Sequence, residues 1–207
     1  MIIEISRIFR NLRLGADRGG SVTVEFALVA VPFMVMVLGS FDFAYQAYLK
    51  TVVQGALNDV ARTASLESPD LECDDGTLSD KVKCAIQKRS DVVAREATYS
   101  VRINNFYDFS TVGRTEKLIT DYNKNGAYDA GDCFVDLNEN GTFDTTAGRD
   151  GVGGADDVSY YIVTVSMPRL FPIDKFLPLS PNYSISGETA VRNQPYARQR
   201  IPPTVCV

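Results

Sequence analysis

Side chains that could do chemistry crowd together between Asp121 and Asp157, where nine acidic residues (Asp121, Asp129, Asp132, Asp136, Glu139, Asp144, Asp150, Asp156 and Asp157) stand against Lys124 and Arg149. The stretch repeats itself: DYNKNGAYDAGDCFV is followed at once by DLNENGTFDTTAGRD. Each copy has oxygen-bearing side chains at places 1, 3 and 5 (Asp121, Asn123, Asn125; Asp136, Asn138, Asn140), Gly at place 6 and Asp at place 9 (Asp129; Asp144). This spacing wraps an oxygen cage around Ca2+: the Gly permits the sharp turn, and place 7 (Ala127; Thr142) offers a backbone carbonyl. Place 12, where a bidentate acid belongs, is Asp132 in the first copy but Ala147 in the second. The second loop must therefore take its closing ligand from elsewhere, with Asp150 or the neighbours of Asp136 as candidates.

The flanking helices of an EF-hand are not evident, because Gly131, Cys133 and Gly141 interrupt and the second copy starts only fifteen residues after the first. The segment is similar to the helix-free tandem Asp/Asn-Gly calcium loops of secreted proteins. A cation would neutralise carboxylates that otherwise repel, turning an open acidic loop into a rigid one. The alternative is a solvated Asn- and Gly-rich turn region that holds no metal. Either way the role is structural or interfacial, because no nucleophile and base accompany the acids. The chain has no His, which removes Ser-His-Asp and Cys-His catalysis and His-ligated metals. The expectation is a protein that is not an enzyme. A net charge of -5 over 207 residues also argues against nucleic acid as a partner.

Something must position these loops, and the N-terminal third supplies a long helix. Ser21 to Phe41 reads SVTVEFALVAVPFMVMVLGSF, 21 residues with one charge, enough to cross the hydrocarbon core of a bilayer at about 1.5 Å per residue. Pro32 removes one helical hydrogen bond, a loss better tolerated in a span than in water. From Asp42 to Glu67 apolar residues keep recurring at three- and four-residue steps: Phe43, Ala47, Leu49, Val52, Val53, Ala56, Leu57, Val60, Ala61 and Ala64. One helix of about 45 residues is predicted, its first half in lipid and its second half projecting with an apolar stripe that needs cover.

Arg7, Arg10, Arg13 and Arg18 precede the span, which places that end in the cytoplasm and everything after it across the membrane. All four cysteines lie on the far side, in a compartment that permits disulfides. Four cysteines allow three pairings. Cys73 and Cys84 flank a short polar loop and are expected to pair, leaving Cys133 with Cys206; a buried free thiol is the alternative. Strands are predicted at Ala97–Asn104, Ser159–Met167 and Tyr183–Arg192, with a weaker one at Arg114–Ile119 and a short helical pattern at Leu78, Val82, Ala85 and Ile86. Three or four antiparallel strands on the projecting helix would give an α+β head. Leu170 to Pro181 is apolar with three prolines and should be an irregular loop, a partner surface if exposed. The expected organisation is a cytoplasmic leader (1–20), a transmembrane and projecting helix (21–65), and an extracytoplasmic domain (66–207) carrying the acidic repeat at 121–157.

A basic leader, then Gly19-Gly20, then an apolar helix with Glu at its fifth place (Ser21-Val22-Thr23-Val24-Glu25-Phe26) is the processing pattern of type IV pilin-like proteins. Residues 18–65, with Glu25-Phe26-Ala27, Pro32 and the alanine-rich stretch ending at Ala61-Arg62, resemble the TadE-like family of pseudopilins of the tight-adherence (Flp pilus) system. The resemblance implies cleavage after Gly20 by a membrane prepilin peptidase, with Gly20, Ser21, Glu25 and Phe26 serving processing and assembly. It implies other pilin or pseudopilin subunits as partners, and a bacterial inner-membrane anchor whose C-terminal domain is periplasmic before it reaches the pilus or cell surface. The role would be that of a minor pilin serving pilus assembly, secretion and cell adhesion. Cleavage would create an α-amino group one helical turn from Glu25, in the same subunit or a neighbour. The alternative is an unprocessed single-span anchor whose Glu25 snorkels to the headgroups, carrying a calcium-stabilised adhesin or recognition domain.

Overall fold

The computed structural model describes residues 19–73, 75–175 and 177–206; the basic leader, residues 1–18, lies outside them. The architecture is α+β, and the described residues divide into two units, 19–44 with 170–180 and 45–169 with 181–206. Helix α1 (Gly19–Ala64) runs without interruption for 46 residues, about 69 Å at the α-helical rise. Pro32 lies inside it and costs one backbone hydrogen bond without ending it. Among the described residues this is the one helix long and apolar enough to cross a membrane, with a mean hydropathy of 2.2 in its most apolar window and none of that window buried.

In the second unit α1 changes character. Leu49, Val53, Leu57, Val60, Ala61 and Ala64 are buried at helical spacing. They share one core with Val82, Ala85 and Ile86 of α2 (Leu78–Ser90) and with side chains of a β-sheet. Thr77 caps α2, accepting from the Asp80 N–H while the Asp80 carboxylate accepts from the Thr77 N–H. The Thr77 hydroxyl also donates to the Asp80 carboxylate at 2.6 Å, and this bond first, then the Thr77 N–H, holds the exposed Asp80 carboxyl below its ordinary pKa. The expected Cys73–Cys84 disulfide is present and ties the preceding loop to α2.

The strands in chain order are β1 (Thr98–Phe106), β2 (Lys117–Thr120), β3 (Cys133–Val135), β4 (Arg149–Asp150), β5 (Val158–Pro168), β6 (Asn182–Arg192) and β7 (Thr204–Cys206). The three long predicted strands are β1, β5 and β6, paired antiparallel in the order β4-β1-β5-β6. Tyr161, Val163, Val165 and Met167 of β5 alternate inward and, with Tyr183 and Ile185 of β6, meet the α1 stripe. At Gly187 the sheet comes so close to α1 that a Cβ would stand 2.9 Å from the Gln54 side-chain oxygen, and Gln54 donates to the Glu188 carbonyl at 3.0 Å.

The expectation of one sheet needs correction. The weaker strand around Arg114–Ile119 does not join the others; it forms β2 of a separate three-stranded sheet ordered β2-β3-β7. Its partner β3 forms the last three residues of the first copy of the acidic repeat, so the second sheet is built around the repeat itself. In β7, Cys206 stands opposite Cys133, and the two form the second expected disulfide.

Candidate functional site

The two acidic copies fold into loops with matching hydrogen bonds and backbone dihedrals. In the first, the Asp121 carboxylate accepts the N–H groups of Lys124, Asn125 and Gly126; in the second, Asp136 accepts those of Asn140 and Gly141. Place 4 is left-handed in both (Lys124 φ 58°, Glu139 φ 62°), as is the Gly at place 6 (Gly126 φ 78°, Gly141 φ 79°). Asn123 and Asn125 each donate to one oxygen of Asp129 at 2.6 Å. Asn138 and Asn140 do the same to Asp144 at 2.6 and 2.5 Å. Ala127 and Thr142, at place 7, donate their N–H to Asn125 and Asn140.

The closing acid separates the copies. In the first loop Asp132 accepts the Tyr122 N–H with one oxygen and the Asp129 N–H with the other, both at 3.0 Å, clamping places 2 and 9. In the second loop the same two places, Leu137 and Asp144, donate to the two oxygens of Glu116 at 2.7 and 3.1 Å. Neither Asp150 nor a neighbour of Asp136 takes that role: Asp150 lies in β4, accepting from Asn104. Glu116 precedes β2, and the register that sets Lys117 opposite Val135 brings it to Asp136 at the mouth of the second loop. It is 3% exposed, and burial raises its carboxyl pKa despite the N–H groups it accepts, with the Asp136 charge adding to the rise. Sequence reasoning missed this residue. The one signal available was the missing acid at place 12, which obliges some other strand to bring a carboxylate.

The place-8 residues join the loops. Tyr128 and Phe143 stack with ring centroids 4.5 Å apart and planes 9° from parallel, and both meet Phe134 of β3 edge-on at 5.5 Å. The C-terminal segment then clamps the second loop: Pro203 accepts the Asp136 N–H, and Arg200 donates to the Leu137 carbonyl at 2.7 Å and pairs with Glu139 at 2.8 Å.

Among the described residues no three Asp, Glu or Cys side chains gather into a preformed metal cluster. Each loop instead offers carboxylates at places 1 and 9 and two side-chain amides that converge on one place-9 oxygen, with a third carboxylate, Asp132 or Glu116, across places 2 and 9 and a backbone carbonyl at place 7. That set is oxygen-rich and hard, as Ca2+ requires, provided each Asn turns its amide to present oxygen in place of nitrogen. In the structure the amide nitrogens occupy those positions and donate hydrogen bonds to the place-9 carboxylate.

The proposed processing residues occupy the start of α1. Gly20 and Ser21 fall in its first turn, Glu25 lies one turn after Ser21, and the Phe26 side chain is exposed. Val22, Val24, Leu28, Val29 and Phe33 on either side of it are exposed too, so this stretch is an apolar rod.

No curated protein and no solved structure matches the chain. A family model does match a part of it, the part containing Gly20, Glu25 and Pro32: residues 20–62 are similar to the TadE-like proteins.

Proposed function

We propose that this chain is a structural minor pilin or pseudopilin that helps assemble a tight-adherence, type IV-like pilus and does not act as an enzyme. The observation that carries the reading is the TadE-like match over residues 20–62 of a continuous helix with two kinds of surface: an apolar rod first, then a stripe buried in a globular unit. The rod suits the inner membrane before assembly and neighbouring pilin subunits afterwards. In this reading a prepilin peptidase cuts between Gly20 and Ser21, and the new amino group meets Glu25 of the same or an adjacent subunit. The globular unit, with its disulfides, is displayed in the periplasm and then on the pilus or cell surface.

Mass spectrometry of the N-terminus in a piliated host tests this. The expected mature protein starts at Ser21, a bulky residue in place of Gly20 blocks cleavage, and Glu25→Gln leaves the protein in the membrane while lowering its incorporation. A protein that stays uncleaved favours the second reading, a membrane-anchored recognition domain.

We also infer that the acidic repeat binds Ca2+. In the first loop Asp121, Asn123, Asn125, Ala127, Asp129 and Asp132 would hold it. In the second, Asp136, Asn138, Asn140, Thr142 and Asp144 would do so, with Glu116 standing where the first loop has Asp132. The support is the shared geometry, including the same clamp across places 2 and 9 made by acids of different origin. The ion would supply charge neutralisation and rigidity to a displayed surface.

A further inference from the structure

We propose that Leu170–Ser180 is a second membrane contact, a wedge lying beside α1 in the leaflet on the Phe41 side of the span, its apolar face against lipid acyl chains. The inference rests on the reading of α1 as a membrane span. Within the unit formed by residues 19–44 and 170–180, Ile173 is 4% exposed. With Ala30, Val31, Met34, Val35 and Leu38 of α1 it lines a wholly apolar hollow of about 330 Å³. Met34 is seven residues before Phe41, about 10 Å along the helix, and half a hydrocarbon core is about 15 Å. A segment seated at that level lies within the leaflet whenever α1 crosses the bilayer.

The segment is built for such a place. It turns Leu170, Leu177 and Leu179 outward. Pro172 and Pro178 carry no N–H, while Ile173, Lys175, Leu177 and Leu179 donate theirs to carbonyls inside the segment. Irregular backbone at membrane depth must satisfy its polar groups internally and needs protein on one side, and here α1 provides that side. Among its described residues the charges are the adjacent Asp174 and Lys175, the latter exposed and long enough to snorkel. The hollow beside Ile173, with no polar lining, suits acyl methylenes.

The chain has no Trp, so one introduced indole reports alone. Full-length Leu177→Trp and Leu179→Trp variants, reconstituted in phosphatidylcholine–phosphatidylglycerol vesicles with brominated acyl chains, should lose most of their emission, as should Phe33→Trp in the span. Tyr122→Trp, on the exposed first acidic loop, should keep its emission. If Phe33→Trp is quenched while both loop variants are not, the wedge is wrong and the span stands. If none is quenched, the span reading fails and takes the wedge with it. Loop emission that is shielded only in assembled pili, and not in vesicles, would make the segment a subunit contact and overturn the proposal.

Discussion

In the four-stranded sheet the side chains that meet are Tyr161, Val163, Val165, Met167 and Ile185, packed on Leu57 and Val60 of α1. Around the three-stranded sheet they are Asp132, Asp136 and Glu116, each nearly buried, with backbone N–H groups turned toward their carboxylates. Apolar burial holds the first assembly whatever the ions in solution. The second asks buried or half-buried negative charges to sit close together, so its stability depends on what neutralises them. On the proposed calcium reading, the same chain carries one region indifferent to its medium and one responsive to it.

The largest expected break in this contrast comes from removing Cys133–Cys206 by a double Ser substitution. It closes a span of 73 residues, for which chain entropy gives about 4 kcal/mol. Hydrogen exchange should show β2, β3 and β7 opening first, with β1, β5 and β6 still protected. The Cys73–Cys84 bridge spans 11 residues and should cost about 3 kcal/mol, without that selectivity.

Leu57→Ala should destabilise by about 3 kcal/mol in denaturant unfolding, by the same amount in calcium and in chelator, because the cavity it leaves is apolar. A calcium-dependent penalty would show that the two regions are not separable.

Calcium itself should raise the melting temperature of the detergent-solubilised chain by several degrees, about 2.7 kcal/mol at a hundredfold excess over Kd. Glu116→Gln should reduce that shift about as far as Asp132→Asn, although it lies outside the repeat. Superimposed melts in calcium and chelator, with no heat of binding at millimolar concentrations, would make the repeat a solvated turn region and end the metal assignment.

The smallest effects lie at the cap of α2. Thr77→Ala should cost about 1 kcal/mol. Asp80 has a lowered folded pKa, so its contribution is present above the ordinary Asp pKa and lost as pH falls through the lowered value. Asp80→Asn should flatten that acid-side slope in pH-dependent melts and leave calcium sensitivity untouched.

Periodic segments were legible before the structure: the α1 stripe, the β1, β5 and β6 alternation, the α2 pattern and both disulfide pairings follow from spacing and setting. The places of the acidic repeat were legible too, because each loop is local. What escaped was non-local or too short to carry a period. β3, β4 and β7 have two or three residues each. Glu116 is a lone acid whose role exists only through the β2–β3 register, and the division into two sheets follows from that same pairing.

Tyr128 and Phe143 share one stacked contact and one edge partner, Phe134, so the two acidic loops cannot relax independently. Ordering one loop fixes half of the aromatic contact that the other requires. If both loops bind Ca2+ as proposed, an ion at either one would leave less conformational entropy to be lost at its twin, which is positive cooperativity without any change of shape. Such coupling is reciprocal and typically about 1–3 kcal/mol. It would make occupancy rise more steeply with ion concentration than for two isolated sites, and a Phe134→Ala chain would lose that steepness before it lost binding.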